Sequence, residues 1–129
     1  MSEHSYAFPR EVESGIMLIN KGEYFRAHEI LELAWKNEKG TQRPLYQGLV
    51  QVSVLLYHLH RGNKSGGIKL LQKALANLAP FQNSTTVLDI ERLVSDLENL
   101  SSRVERIHPL SVNHLVLGFR LYPREKRPG

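Results

Sequence analysis

Apolar residues recur along this chain at the three-to-four spacing of amphipathic helices, in five blocks separated by glycine, proline and polar breaks. Val12, Ile16 and Ile19 make the first block. Pro9 suits its first turn, where no backbone donor is needed, and Asn20-Lys21-Gly22 ends it, because glycine readily takes the left-handed conformation that terminates helices. The second block runs from Glu23 to Trp35, should end near Glu38, and turns Tyr24, Ala27, Leu31, Ala34 and Trp35 inward. After the polar KNEKGTQR segment a third helix should start near Pro44. It is apolar nearly all round to Leu59, which predicts the central and most buried element, and Gly48 permits a close approach by a neighbour. Ser65 stands where it can cap a fourth helix carrying Ile68, Leu71, Leu75 and Leu78 on one side, closed by Pro80. Val87, Ile90, Leu93, Val94, Leu97, Leu100 and Val104 give the clearest period of all, a fifth helix. Beyond His108-Pro109 the pattern weakens. LSVNHLVLGFRLY reads as a short strand-like or irregular segment packed on the bundle, and PREKRPG as disordered. The expectation is an all-α fold: a single compact helical bundle of about five helices over residues 1–118, frayed at its first residues, with an irregular, basic C-terminal tail over 119–129.

Polar residues interrupt two of these apolar blocks. At about 100° per residue, His28, Leu31 and Trp35 share a stripe of helix two, with Glu32 on its shoulder. On helix three, Gln47, Gln51 and His58 lie within about 40° of one another, with Val54 between. Buried polar groups are costly unless they meet, so His28 and Glu32 are expected to face Gln47, Gln51 and His58 across the bundle, with Glu32 in hydrogen-bond reach of at least one of the three, directly or through one water. Tyr24, Tyr46 and Tyr57 would wall such a site. Glu29 points about 100° away from His28, toward a salt bridge with Arg26 or Arg43, and Trp35 reads as packing.

Gly22, Tyr24, His28, Glu29, Glu32 and Trp35, followed by Gln47, Gly48, Leu49, Gln51, His58, Gly62, Asn63 and Gly66, resemble the family catalogued as domain of unknown function 309. The resemblance covers roughly residues 10 to 80, and its G-x-Y-x-x-x-H-E-x-x-E-x-x-W string is more specific than the bare H-E-x-x-E inside it. It implies a small all-helical domain and no established activity. Gly66-Gly67 departs from the alanine common after this turn in the family, which bears on how firmly the fourth helix starts.

Composition narrows the field. At 129 residues, 41% hydrophobic and 23% charged, the chain has the make-up of one soluble globular domain rather than a disordered one. It contains no cysteine, which removes disulfides, thiolate metal sites and cysteine nucleophiles and points to the cytoplasm. No apolar run approaches the roughly 18 residues that a membrane span needs, and the first residues lack a signal-peptide pattern. The net charge of +4 gathers late in the chain, at Arg103, Arg106, Arg120, Arg124, Lys126 and Arg127. With Phe119 and Tyr122 interleaved this would suit nucleic acid, but a solvated tail is the commoner use of such a run, and nucleic acid is disfavoured as a partner.

The polar stripe leaves several chemistries open. His28, Glu32 and His58 would suffice for a divalent metal with water in the fourth position, although a glutamate replaces the second histidine of H-E-x-x-H and no cofactor is expected. A metal-free pocket would bind a small polar molecule or a protein partner, with Glu32 as base, a histidine as proton carrier and Gln47 and Gln51 as orienting amides. A hydrolase built on His28, Glu32 and His58 is the alternative to plain binding. A satisfied core network that only sets helix register is the structural reading, and it predicts that Glu32→Ala costs about 2–4 kcal/mol. Ile30 and Leu33 point away from the His28 stripe, where they would meet other helices or a second copy of the chain.

Overall fold

The computed structural model describes residues 7–84 and 86–125. Five α-helices follow in chain order: α1 (Arg10–Asn20), α2 (Tyr24–Asn37), α3 (Arg43–His60), α4 (Lys64–Leu78) and α5 (Ile90–Arg106). Short 3-10 segments span Ala79–Phe81 and Pro109–Val116. There is no strand among the described residues, only an isolated antiparallel bridge between Leu88 and Pro123, so the fold is all-α.

Each helix packs chiefly on the next in sequence, as short links between antiparallel elements require. Gly22, at φ 80°, takes the left-handed turn that frees the chain to reverse from α1 into α2. Helix α3 is the central member, packed between α2 and α4, and Leu45, Leu49, Val52, Leu55, Leu56 and Leu59 on it are fully buried. It approaches α4 closely at Gly48, where a Cβ would stand 2.8 Å from the Leu78 side chain. Helix α4 is capped by Asn63 rather than by Ser65: the Asn63 side-chain oxygen accepts from the Gly66 backbone N–H at 3.0 Å, and that cap starts the helix two residues ahead of Gly66-Gly67. At its other side, the Lys64 ammonium donates to the Ile107 carbonyl at 2.9 Å, a cation on the C-terminal end of α5 that favours the helix dipole.

The C-terminal segment packs on the bundle, as a 3-10 helix followed by irregular chain rather than as a strand. Pro109–Val116 is a 3-10 helix seated on α3 and α5, with Val112, Leu115 and Val116 in the core. Residues 119–125 then run back across the molecule. Leu121 is 3% exposed, and both its backbone groups bond the Asn20 side chain on α1, at 2.9 Å and 2.7 Å. The Asp89 N–H donates to the Tyr122 carbonyl and the Arg124 N–H to the Val87 carbonyl. The physical reason is a gap: in a sequential array α1 and α5 are not neighbours, and the apolar side chains of this segment cover what they leave open. The sequence boundary at residue 118 therefore does not separate a bundle from a tail through residue 125. Of the frayed start expected over residues 1–7, residues 1–6 lie outside those described, as do Lys126 and Arg127 of the basic run. No described helix is long and apolar enough to cross a membrane.

Candidate functional site between helices two and three

The polar residues of α3 occupy its uncovered side. Gln47, Gln51, Val54, Tyr57 and His58 fall on one flank at 100° per residue, and all five are partly exposed, while the rest of the helix from Leu45 to Leu59 is buried. Gln51 looks toward α4, accepting a 2.8 Å hydrogen bond at Oε1 from the Asn77 side-chain amide. Glu32 is 37% exposed along its side chain and pairs with Lys36, one turn further along α2, at 3.7 Å. The expected meeting of Glu32 with Gln47, Gln51 or His58 is thus replaced by an i,i+4 surface pair on one helix and an amide pair between two others. Water and near neighbours satisfy these groups at less cost than burial would. Glu29 is exposed; Arg26 pairs with Glu23 at 2.6 Å, and the Arg43 guanidinium stacks 4.9 Å from the centre of the Trp35 ring, so neither arginine serves Glu29.

Tyr24, His28 and His58 do come together. With Phe25, Val54 and Tyr57 they line a cleft of about 200 Å³ between α2 and α3. Its walls are aromatic: Phe25 lies 5.6 Å from Tyr57 and 5.2 Å from His28, centre to centre, and Tyr57 lies 6.1 Å from His58. Phe25 is 51% exposed, an unusual placement for so large an apolar side chain. Arg61 stacks on Tyr57 at 5.4 Å. Burial pushes the Tyr24 phenol above its ordinary value, so the cleft wall stays uncharged; Tyr46, raised by burial and then by the Glu38 carboxylate, belongs to the core beside Phe8 instead. Sequence reading missed Phe25. The signal was its place three residues before His28, which puts the two rings on neighbouring turns of α2.

The neighbours of each Nδ1 select which ring nitrogen carries the proton when the imidazole holds one. His28 Nδ1 lies 3.1 Å from the Phe25 carbonyl oxygen, an acceptor only, so Nδ1 donates and Nε2 keeps its lone pair. His58 Nδ1 lies 3.1 Å from the Asn63 amide nitrogen. The amide orientation is itself constrained, because Asn63 Oδ1 accepts from the Gly66 N–H; the nitrogen must therefore face His58, whose Nδ1 accepts and whose Nε2 carries the proton. One imidazole offers an acceptor and the other a donor. Gln47, Gln51, Glu29 and Glu32 are not among the residues lining this cleft. Among the described residues no three His, Asp or Glu side chains gather as a metal-ligand set, so the trio of His28, Glu32 and His58 does not assemble.

The two helices that form the cleft lie inside a segment shared with other proteins. Residues 12–70 match the family model described as domain of unknown function (DUF309). That DUF309 segment runs from α1 into α4 and holds every residue of the cleft. An uncharacterised protein of Aquifex aeolicus (strain VF5) is 29% identical over 93 residues, 70% of this chain and 27% of that protein. The uncharacterised protein YpuF of Bacillus subtilis (strain 168) is 30% identical over 88 residues, 66% of this chain and 51% of its own length. The chain thus spans about half or less of each of these curated relatives. No solved structure matches it significantly. The resemblance to DUF309 carries no activity with it, and the molecular function of the chain is unknown.

Proposed function

We propose that the chain is a cytoplasmic binding module whose α2–α3 cleft takes a flat, largely apolar group bearing an adjacent hydrogen-bond donor and acceptor. An aromatic amide or the edge of a nucleobase has that chemistry, whether free as a small molecule or displayed by a protein partner. The supporting observation is that, within one aromatic-walled cleft, His28 Nδ1 faces a carbonyl oxygen and His58 Nδ1 faces an amide nitrogen, surroundings that select opposite tautomers. Aromatic faces supply area for stacking, and two imidazoles of opposite hydrogen-bonding sense fix orientation. A hydrolase using His28, Glu32 and His58 has less support, because Glu32 is engaged with Lys36 and does not line the cleft.

Benzamide is a suitable probe, with toluene as the analogue that keeps the ring and lacks the amide. Titrated into the full chain and followed by NMR, benzamide should shift the Phe25, Tyr57, His28 and His58 signals and bind more tightly than toluene. His28→Phe and His58→Phe should each weaken it about tenfold, the size of one lost hydrogen bond near 1.4 kcal/mol. Benzamide shifts confined to other surfaces, or binding indifferent to both substitutions, would overturn the proposal.

A further inference from the structure

A second cleft lies apart from the first, where the C-terminal segment crosses α5. Arg92, Asp96, Asn99 and Arg103 of α5 fall within about 60° of one another at 100° per residue, so they form one polar stripe. Arg120 faces them from the returning segment, and together with Tyr122 and Phe119 they line a cleft of about 250 Å³. Three guanidiniums meet there with one carboxylate. Asp96 lies 3.6 Å from Arg92 Nε, which leaves the terminal nitrogens of Arg92 to face the cleft or solvent. The Arg92 guanidinium also lies 3.6 Å above the centre of the Tyr122 ring, and this stacking holds its N–H fork in place rather than leaving it to sweep through solvent. Among the described residues, no ion pair engages Arg103 or Arg120.

We infer that this cleft binds a small phosphate-bearing ligand, a phosphomonoester or diphosphate. Like charges gathered on one concave surface repel, and a compact anion of two or more negative charges relieves that repulsion. Phosphoryl oxygens accept forked guanidinium hydrogen bonds from several directions at once, which is the geometry that arginines on two opposing elements present. Asn99 adds an amide donor. The cleft is short, sized for one or two phosphoryl groups rather than for a nucleic-acid strand, which would need a groove tracking its backbone. Part of the basicity that the sequence assigned to a tail is thereby placed on a folded surface, because Leu121 anchors the segment carrying Arg120.

The test is calorimetric titration of inorganic pyrophosphate into the full chain at low salt. Binding should be saturable and one-to-one. Arg103→Ala and Arg120→Ala should each weaken it at least tenfold, and Arg120→Lys should also weaken it, since an ammonium cannot fork. Arg106→Ala removes a charge from the same helix outside the cleft and should leave binding within twofold, with thermal melts confirming that every variant is folded. Co-sedimentation with phosphatidic acid vesicles, competed by pyrophosphate, would assign the phosphate to a lipid headgroup. Pyrophosphate binding without co-sedimentation would assign it to a soluble ligand, and either result supports the site. Absence of pyrophosphate binding overturns it, as does an equal loss in Arg106→Ala. Oligonucleotide binding that pyrophosphate does not displace, with no separate pyrophosphate site, would replace it with an extended nucleic-acid surface.

Discussion

Glu32 shows how far apart a residue's type and its surroundings can be. A carboxylate next to a histidine on an apolar helix reads as buried, but its side chain is 37% exposed and pairs with Lys36 across one turn. Exposed i,i+4 pairs contribute about 0.3–0.5 kcal/mol, so Glu32→Ala should cost no more than roughly 0.5 kcal/mol in urea unfolding. A loss of about 2–4 kcal/mol would restore the buried network. The tyrosines make the opposite case, since burial raises both Tyr24 and Tyr46 above the ordinary value near 10. The folded chain then holds these protons more tightly than the unfolded one. Their contribution is fully present below about pH 10 and is lost as the pH rises from there toward the folded values. Stability measured across that range should fall for the wild type and fall less steeply for Tyr24→Phe; parallel curves would mean that Tyr24 titrates alike in both states.

At the scale of elements, the helices were legible because each carries an apolar stripe bounded by a proline, glycine or polar break, and the starts of α1 at Arg10 and α3 at Arg43 lie one residue from the prolines that mark them. What periodicity does not show is which flank of an apolar helix its neighbours leave open. Helix α3 is buried on most sides, so its polar flank looked like an interior seam; it is the side between α2 and α4 that water reaches. Of the candidate residues, Tyr24, His28 and His58 reached a common cleft because they lie near that flank at the end toward Phe25, while Gln51 turned to Asn77 on α4. The family resemblance marked the same segment without distinguishing its faces. Gly48 was legible for a simpler reason: a glycine inside an apolar helix leaves room for a neighbour's side chain to approach, here Leu78. Gly48→Ala should destabilise by about 1–3 kcal/mol, because the added carbon meets Leu78, and Leu78→Ala in the same chain should recover part of that loss. Additive losses would mean that the two positions do not touch.

For the whole molecule, the segment after Gly118 closes the array. Sequence allowed that part of it packs on the bundle but not where it docks, since only Leu121 points fully inward and its hold on Asn20 spans 101 residues of chain. Leu121→Ala should therefore cost about 2–4 kcal/mol, as a buried leucine does, and removal of residues 120–129 should cost at least as much. A truncated chain as stable as the full one would show the segment to be an appendage. The array holds α2 against α3, and α3 runs on through His58 to the Asn63 cap, so the imidazole pair depends on the packing of several elements. The nitrogen-15 shifts and ring-proton couplings of His28 and His58 at a pH where both are neutral test that pair most directly. His28 should be protonated at Nδ1 and His58 at Nε2, and Asn63→Asp should move His58 away from that state, because a carboxylate cannot donate to its Nδ1. The same tautomer at both positions, or a His58 indifferent to Asn63→Asp, would contradict the matched acceptor and donor.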